Sequence, residues 1–391
     1  MQAPAVTIGT PRVAVACGTA QGVDGALAPA AAAGALGAYH DGTPVPPPPV
    51  MRIAVFAPAD IPTSFVVYFK RVHAALQQKG VDCVRFGHGD RLPPNCDLVW
   101  DVRSGGGNPP PDALLADGMP PLVVTVHGFA PLSLPAMAYY RLWRERVESI
   151  GHVRRQQRRW AAAQHHIARV IAVSSFTRDE CVRHAGIGLA RISVCHHGVD
   201  ADAFAAGAAV SAREPGMLLH VSNDEPRKNL NRVLRAFRQV RRSHPAARLV
   251  LKLPAEAAAR YSGHSGVEVL TGHLPTPELA DLYARASAFV FPSLYEGFGM
   301  PILEAMAAGC PVLTSNVSAC PEVAGEDALC VDPWSVSDLA IGMARLLDDA
   351  SLRDRLAQAG RVRASRFTWQ VCAEGHLTAF EQALQRAGAA A

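Results

Sequence analysis

From Met51 onward the chain alternates short apolar runs with stretches of helical period, and it does so twice, with a run of small residues between the two series. Short apolar runs of this kind lose water on both faces only as parallel strands with helices packed over them, so the alternation calls for doubly wound α/β lobes. At 391 residues the chain is long enough for two such cores.

The first series opens with Met51–Ala57 as a buried strand, followed by a helical pattern over Val66–Gln78 that Gly80 ends. Val81–Phe86, Asp97–Asp101, Leu122–His127, Val170–Val173 and Ile192–His196 read as further strands. Ala205–Pro215 reads as a linker, and the alternation restarts with Met217–Val221. Leu230–Arg242 and Pro277–Ala286 are helical, and Ala247–Leu253, Ala288–Pro292 and Pro311–Thr314 are strands. The helical patterns over Val336–Ala359 and Trp369–Ala387 exceed what the second sheet requires, so one of them is expected to return to the first lobe. The expected architecture is an α/β chain with a first Rossmann-like lobe at 51–205, a second at 216–368 and a terminal helix at 369–391.

Residues 1–50 are rich in Ala, Gly and Pro and end in Pro46–Pro49, which predicts a disordered extension with no core of its own. Met51 is itself a candidate initiator. With 49% apolar and 18% charged residues the chain is globular overall, and a net charge of +4 says little by itself about nucleic acid or membranes; no recognised nucleic-acid-binding motif accompanies its basic segment, so no nucleic-acid partner is expected. Nine cysteines without a C-x-x-C pair favour reduced thiols and a cytoplasmic setting. No run of about 18 strongly apolar residues marks a membrane span, and Ala26–Ala38 lacks the build of a signal peptide, so a soluble or peripheral protein is expected.

The chemistry concentrates in Phe289–Gly309, which reads strand, glycine loop, helix. Pro301 suits a first helical turn and Gly309 a left-handed position past the end. Open amides at that helix start, beside Gly297 and Gly299, favour a phosphate or sugar oxygen. Glu296 and Glu304 can accept hydrogen bonds from different hydroxyls of one extended ligand. A glutamate near a helix start is also favourable without any ligand. A second constellation, Asn223-Asp224-Glu225-Pro226-Arg227-Lys228-Asn229, follows the strand that opens the second lobe. Arg227 and Lys228 there can neutralise a departing diphosphate in place of a metal, although a Pro-Arg-Lys turn alone is more often a solvated surface.

Together these residues resemble the family 4 retaining glycosyltransferases of GT-B fold, in which two Rossmann-like lobes face each other across a cleft. Glu296 and Glu304 match the family's E-x7-E motif, and the resemblance extends over roughly residues 51–385. Glu225–Asn229 and His197-Gly198-Val199-Asp200 look most like bacterial polysaccharide mannosyltransferases of that family. The resemblance implies that Glu296 lies near the donor sugar hydroxyls, Glu304 on the ribose, and Arg227 and Lys228 on the diphosphate. It places the amides of Gly297, Phe298, Gly299 and Met300 beside the sugar and Leu274 near the base. His127 matches a strand-end histidine that faces the sugar. The implied reaction is transfer of a hexose, best read as mannose from GDP-mannose, to a polysaccharide or lipid-linked acceptor, with retention and with no cofactor or metal.

Two departures stand out: Ala59–Ser64 replaces a Gly-Gly loop, and Ser222 stands where many relatives carry arginine. Asp200-Ala201-Asp202 has a D-x-D form used with metals in another fold, but it sits at the crossing between lobes. The rival readings are a UDP-sugar transferase, a sugar-nucleotide epimerase and a non-catalytic nucleotide or sugar binder. A nicotinamide enzyme fits worse, because no G-x-G-x-x-G follows either opening strand.

Tyr139–Trp160 carries seven arginines and two glutamates, with Tyr140, Trp143, Val147 and Ile150 at helical spacing. This suits a membrane surface or an anionic acceptor, or else a helix whose apolar side packs inward while its arginines are solvated.

Overall fold

The computed structural model describes residues 51–59, 63–105, 107–208 and 212–390. The extension expected over 1–50 and residues 60–62 of the loop at 59–64 lie outside the described residues.

Two six-stranded parallel sheets form the molecule. The first contains β1 (Arg52–Phe56), β2 (Asp82–Phe86), β3 (Leu98–Ser104), β4 (Leu122–Val126), β5 (Ile167–Ala172) and β6 (Ile192–Val194), in the order β2-β1-β3-β4-β5-β6. The second contains β7 (Met217–Val221), β8 (Arg248–Lys252), β9 (Val267–Leu270), β10 (Ala288–Phe291), β11 (Val312–Ser315) and β12 (Leu329–Val331), in the order β12-β11-β10-β7-β8-β9. The strand order of the second sheet reverses between β7 and β10, and ligands of open α/β sheets bind outside the strand ends at such a point. Both constellations singled out in the sequence follow those two strands.

The central strands β4 and β10 are buried along their whole length, which is why their apolar runs are legible. Strands β9 and β12 were not expected. They are half-exposed edges of four and three residues, too short for an alternation to register.

The helical pattern from Val336 breaks at Asp349, whose carboxylate accepts the Leu352 amide at 2.8 Å and starts a new helix. The linker expected from Ala205 is helical through Ala208, because Phe204 packs in the second lobe's core and Gly207 lies against Ala280. The D-x-D aspartate Asp200 is ion-paired with Arg71.

The terminal helix Trp369–Ala390 returns to the first lobe, as one of the two helical patterns was expected to. Trp369, Cys372, Ala373, Phe380 and Ala383 share a core with β1, β3 and the Thr63–Gln78 helix. A buried polar chain fixes the register. Trp100 Nε1 donates to Thr125 Oγ1 at 2.9 Å, Thr125 lies 3.1 Å from Tyr68 Oη, and Tyr68 lies 2.5 Å from His376 Nε2. His376 Nδ1 sits 2.7 Å from the Cys372 carbonyl, which can only accept, so Nε2 carries the lone pair that takes the Tyr68 proton. At the crossing between lobes the Val199 amide bonds the Phe367 carbonyl at 2.9 Å, so the outgoing and returning segments run against each other.

The basic helix spans Trp143–Ala163. Its apolar side does not pack inward: Trp143 is 71% exposed, Ile150 62% and Val147 59%. Only Ser149, Gln156, Trp160 and Ala163 are buried along it, so the helix docks through its C-terminal half.

Candidate active site

The turn after β7 is tied to the end of β10. Pro226–Lys228 forms a single 3-10 turn that closes at Asn229, whose backbone is left-handed (φ 67°). Asn229 Nδ2 donates to the carbonyls of Pro292 and Pro333, at 3.0 and 2.7 Å, and the Leu294 amide donates to the Arg227 carbonyl at 2.7 Å. These bonds bring the two constellations together although they lie some 70 residues apart.

At their meeting point Lys228 Nζ donates to Glu296 Oε1 at 2.6 Å and Arg227 donates to Glu296 Oε2 at 3.2 Å. Glu296 and Lys228 are each only 7% exposed. Burial raises the Glu296 carboxyl, but Lys228 and Arg227 outweigh it and hold the group below its ordinary range. Burial pulls Lys228 down, and neighbouring Arg227 adds to that. Burial also opposes the charge on Arg227, yet Glu296 and Glu225 leave it raised. The two cations therefore stand against a carboxylate rather than open to solvent.

The glycine loop lies against the first lobe. A Cβ on Gly297 would collide with the His127 carbonyl, and one on Gly128 would lie 2.9 Å from the Tyr295 hydroxyl. Only glycine at both positions lets the two backbones meet. The contact is held by Ser174 Oγ and Thr177 Oγ1, which donate to the Gly297 carbonyl at 2.6 and 3.0 Å, and by the Phe129 amide, which donates to Tyr295 Oη at 2.6 Å. Glu322 of the second lobe accepts the amides of Ser175 and Phe176 at the start of the Ser175–Ala185 helix, at 2.7 and 3.1 Å. Burial raises that carboxyl, and the His196 side chain with these amides brings it down to about 2.

Gly299 caps the Met300–Ala307 helix with φ at 102°, which turns the chain into it. The Phe298 side chain packs on His197 (4.9 Å) and His196 (5.8 Å) at the lobe crossing. Met300 is half-buried between the two lobes' cores. Leu274 packs beside the core that holds Tyr283. Glu304, on the same helix as Met300, accepts a hydrogen bond from Tyr283 Oη at 3.1 Å. Burial pushes its carboxyl up to about 7.

His127 ends β4 facing this loop. Its Nε2 sits 2.9 Å from the Val102 carbonyl, which fixes the proton there and leaves Nδ1 as an acceptor. Phe65 stacks on its ring at 4.0 Å, and burial lowers its pKa to about 4, so the ring is neutral at pH 7. Ser222, in the place of an expected arginine, stands 2.7 Å from His220 Nε2.

Several site residues carry no local signal. Ser318 Oγ accepts the Glu296 amide at 3.1 Å from a turn 22 residues away. Asp224 accepts Arg141 of the first lobe at 2.8 Å and also pairs with Arg260. Asp224 lies inside a segment the sequence singled out, but its partners come from elsewhere.

A family profile described as "Glycosyl transferases group 1" matches residues 207–363, and one described as "Glycosyltransferase Family 4" matches residues 95–203. The chain is 32% identical over 187 residues to O-antigen chain mannosyltransferase B of Escherichia coli, a match over 42% of this chain and 46% of that protein. It thus spans less than half of that relative's length. It is 32% identical over 284 residues to the MMP alpha-(1->4)-mannosyltransferase of Mycolicibacterium hassiacum, covering 69% of this chain and 67% of the relative. In structure it is similar to the sucrose-phosphate synthase of Thermosynechococcus elongatus, with a TM-score of 0.65 at 19% identity over 85% of this chain and 98% of that one. With these likenesses added to two parallel sheets meeting at a glycine loop, the chain belongs to glycosyltransferase family 4 and has its GT-B fold.

Proposed function

We propose that the protein transfers a mannosyl unit from GDP-mannose to a hydroxyl of a polysaccharide or lipid-linked oligosaccharide, with retention of configuration. The observation that carries the reading is the cluster of Arg227, Lys228 and Glu296 at the strand-order reversal of the second sheet. The two mannosyltransferase relatives support the choice of sugar.

In this reading the donor diphosphate takes Arg227 and Lys228 from Glu296. Charge-assisted bonds to phosphate replace those to the carboxylate, and Glu296 is released to accept donor sugar hydroxyls. The amides of Gly297, Phe298, Gly299 and Met300 line the sugar, and His127 Nδ1 accepts from a further hydroxyl. Glu304 holds the ribose, and Leu274 borders the base. The bond from the anomeric carbon to phosphate oxygen breaks as the acceptor oxygen bonds that carbon on the same face. The acceptor proton passes to the leaving phosphate oxygen. The two cations stabilise the charge that develops there, the role a metal plays in other transferases.

The test is incubation with GDP-mannose, UDP-glucose and ADP-glucose in the presence of a chelator and a mannose-terminated acceptor. Free GDP and a new α-linked mannose, read by NMR, are expected. An altered sugar formed without acceptor would identify an epimerase, and nucleotide binding without acceptor-dependent turnover a binding protein.

A further inference from the structure

The exposed apolar residues of the Trp143–Ala163 helix are joined by Met137 (74% exposed) and Leu142 (59%) just before it. Arginines surround them, and Arg144, Arg154, Arg155 and Arg158 enter no ion pair among the described residues. In the second lobe the Leu230–Ser243 helix buries Val233, Leu234, Phe237 and Val240 and turns outward a side bearing five arginines and no acidic residue. Of these, Arg235, Arg238 and Arg242 are exposed and also unpaired.

The two regions are continuous. A cavity of about 160 Å³ between the lobes is lined by Met137 and Arg146 on one side and by Asn231 and Arg232 on the other. The next hollow shares Asn231 and is lined by Arg235, Arg238 and Arg260. Asp224 bonds Arg141 across the junction and Arg260 within its own lobe. Beside the apolar residues, a groove of about 330 Å³ is walled by Leu132, Leu134, Ile150 and Val153, with Arg154 at its rim.

We propose that this face, shared by both lobes, docks on an anionic lipid bilayer. The arginines meet lipid phosphates, and Met137, Leu142, Trp143, Val147 and Ile150 enter the boundary between headgroups and acyl chains. A nucleic acid would reward the arginines and stack on Trp143, whereas Leu142, Val147 and Ile150 gain only where an apolar phase lies against them.

The test is co-sedimentation of the full chain with phosphatidylglycerol-containing vesicles and with pure phosphatidylcholine vesicles, at low and high salt. Trp143→Ser/Ile150→Ser alters the first lobe and Arg235→Glu/Arg238→Glu the second. Unchanged nucleotide binding reports that each variant is folded. The wild type should bind the anionic vesicles at least about ten-fold more tightly than the neutral ones, with loss at high salt and about ten-fold weakening in each variant. The proposal is overturned by equal or absent binding to the two vesicles, by binding insensitive to the second-lobe pair, or by dependence on the arginines alone with RNA competing. A wild-type dimer dissolved by Trp143→Ser/Ile150→Ser would likewise overturn it, assigning the apolar residues to a second copy of the chain. No arm depends on turnover, so its failure leaves the catalytic reading untouched.

Discussion

Lys228 Nζ and Glu296 Oε1 stand 2.6 Å apart with both side chains almost fully shielded from water. A buried pair gains little over an apolar equivalent, but removing one partner strands the other. Glu296→Ala, which leaves buried Lys228 without its acceptor, is therefore expected to destabilise the fold by about 3–5 kcal/mol in urea denaturation, and Lys228→Ala/Glu296→Ala by less than the sum of the single changes. Glu296→Ala, or Arg227→Ala with Lys228→Ala, should lower turnover by roughly 10²–10³. Wild-type rates in either would remove the cluster from the chemistry.

Gly297→Ala separates binding from lobe contact. The added methyl meets the His127 carbonyl, not the second lobe's own turn. Nucleotide affinity measured by calorimetry should stay within about three-fold of wild type while turnover drops by at least about 10², since a misplacement of about 1 Å costs that much. A loss of affinity equal to the loss of turnover would place the strain inside the donor lobe instead.

Glu304 titrates in the physiological range, because burial raises its carboxyl to about 7. The ionised form is the stronger acceptor for ribose hydroxyls, so nucleoside affinity should rise as pH passes from 6 to 8 and flatten in Glu304→Gln. A raised carboxyl binds its proton more tightly folded than unfolded, so its contribution to stability falls as pH rises from the unfolded value toward 7. Removing Glu304 should therefore improve stability at pH 8 more than at pH 5, as read by thermal unfolding.

Four buried histidines shift in the opposite sense. Burial lowers His127, His220 and His376 to about 4 and holds His197 well below its ordinary value. Between pH 6.5 and 4 the unfolded chain takes up protons that these rings refuse while folded, so stability is complete above 6.5 and declines as pH falls through that window. His220→Asn should make the decline of melting temperature shallower. An unchanged slope would show that His220 charges without unfolding.

What the sequence revealed and what it hid follow the reach of each interaction. The strands β4 and β10 are legible because burial on both faces writes a continuous apolar run, and the glycine loop because its conformation demands glycine. The edge strands β9 and β12 leave no such trace. The pairing of Arg227 and Lys228 with Glu296 spans 69 and 68 residues, and Tyr68 meets His376 across 308. No local pattern encodes contacts of that separation. The apolar residues around Trp143 are legible as a helical stripe, but their exposure depends on how far the neighbours the fold places beside them cover it, and Trp143, Val147 and Ile150 stay more than half exposed.

The central claim is that Arg227 and Lys228 receive the diphosphate of a guanosine nucleotide. Calorimetric titration with GDP, UDP and ADP in the presence of a chelator, repeated on Arg227→Ala/Lys228→Ala, tests it most directly. The account predicts a clear preference for GDP that the double variant loses. Preference for UDP or ADP would keep the transferase and overturn the donor, whereas no binding of any nucleotide would contradict the site itself.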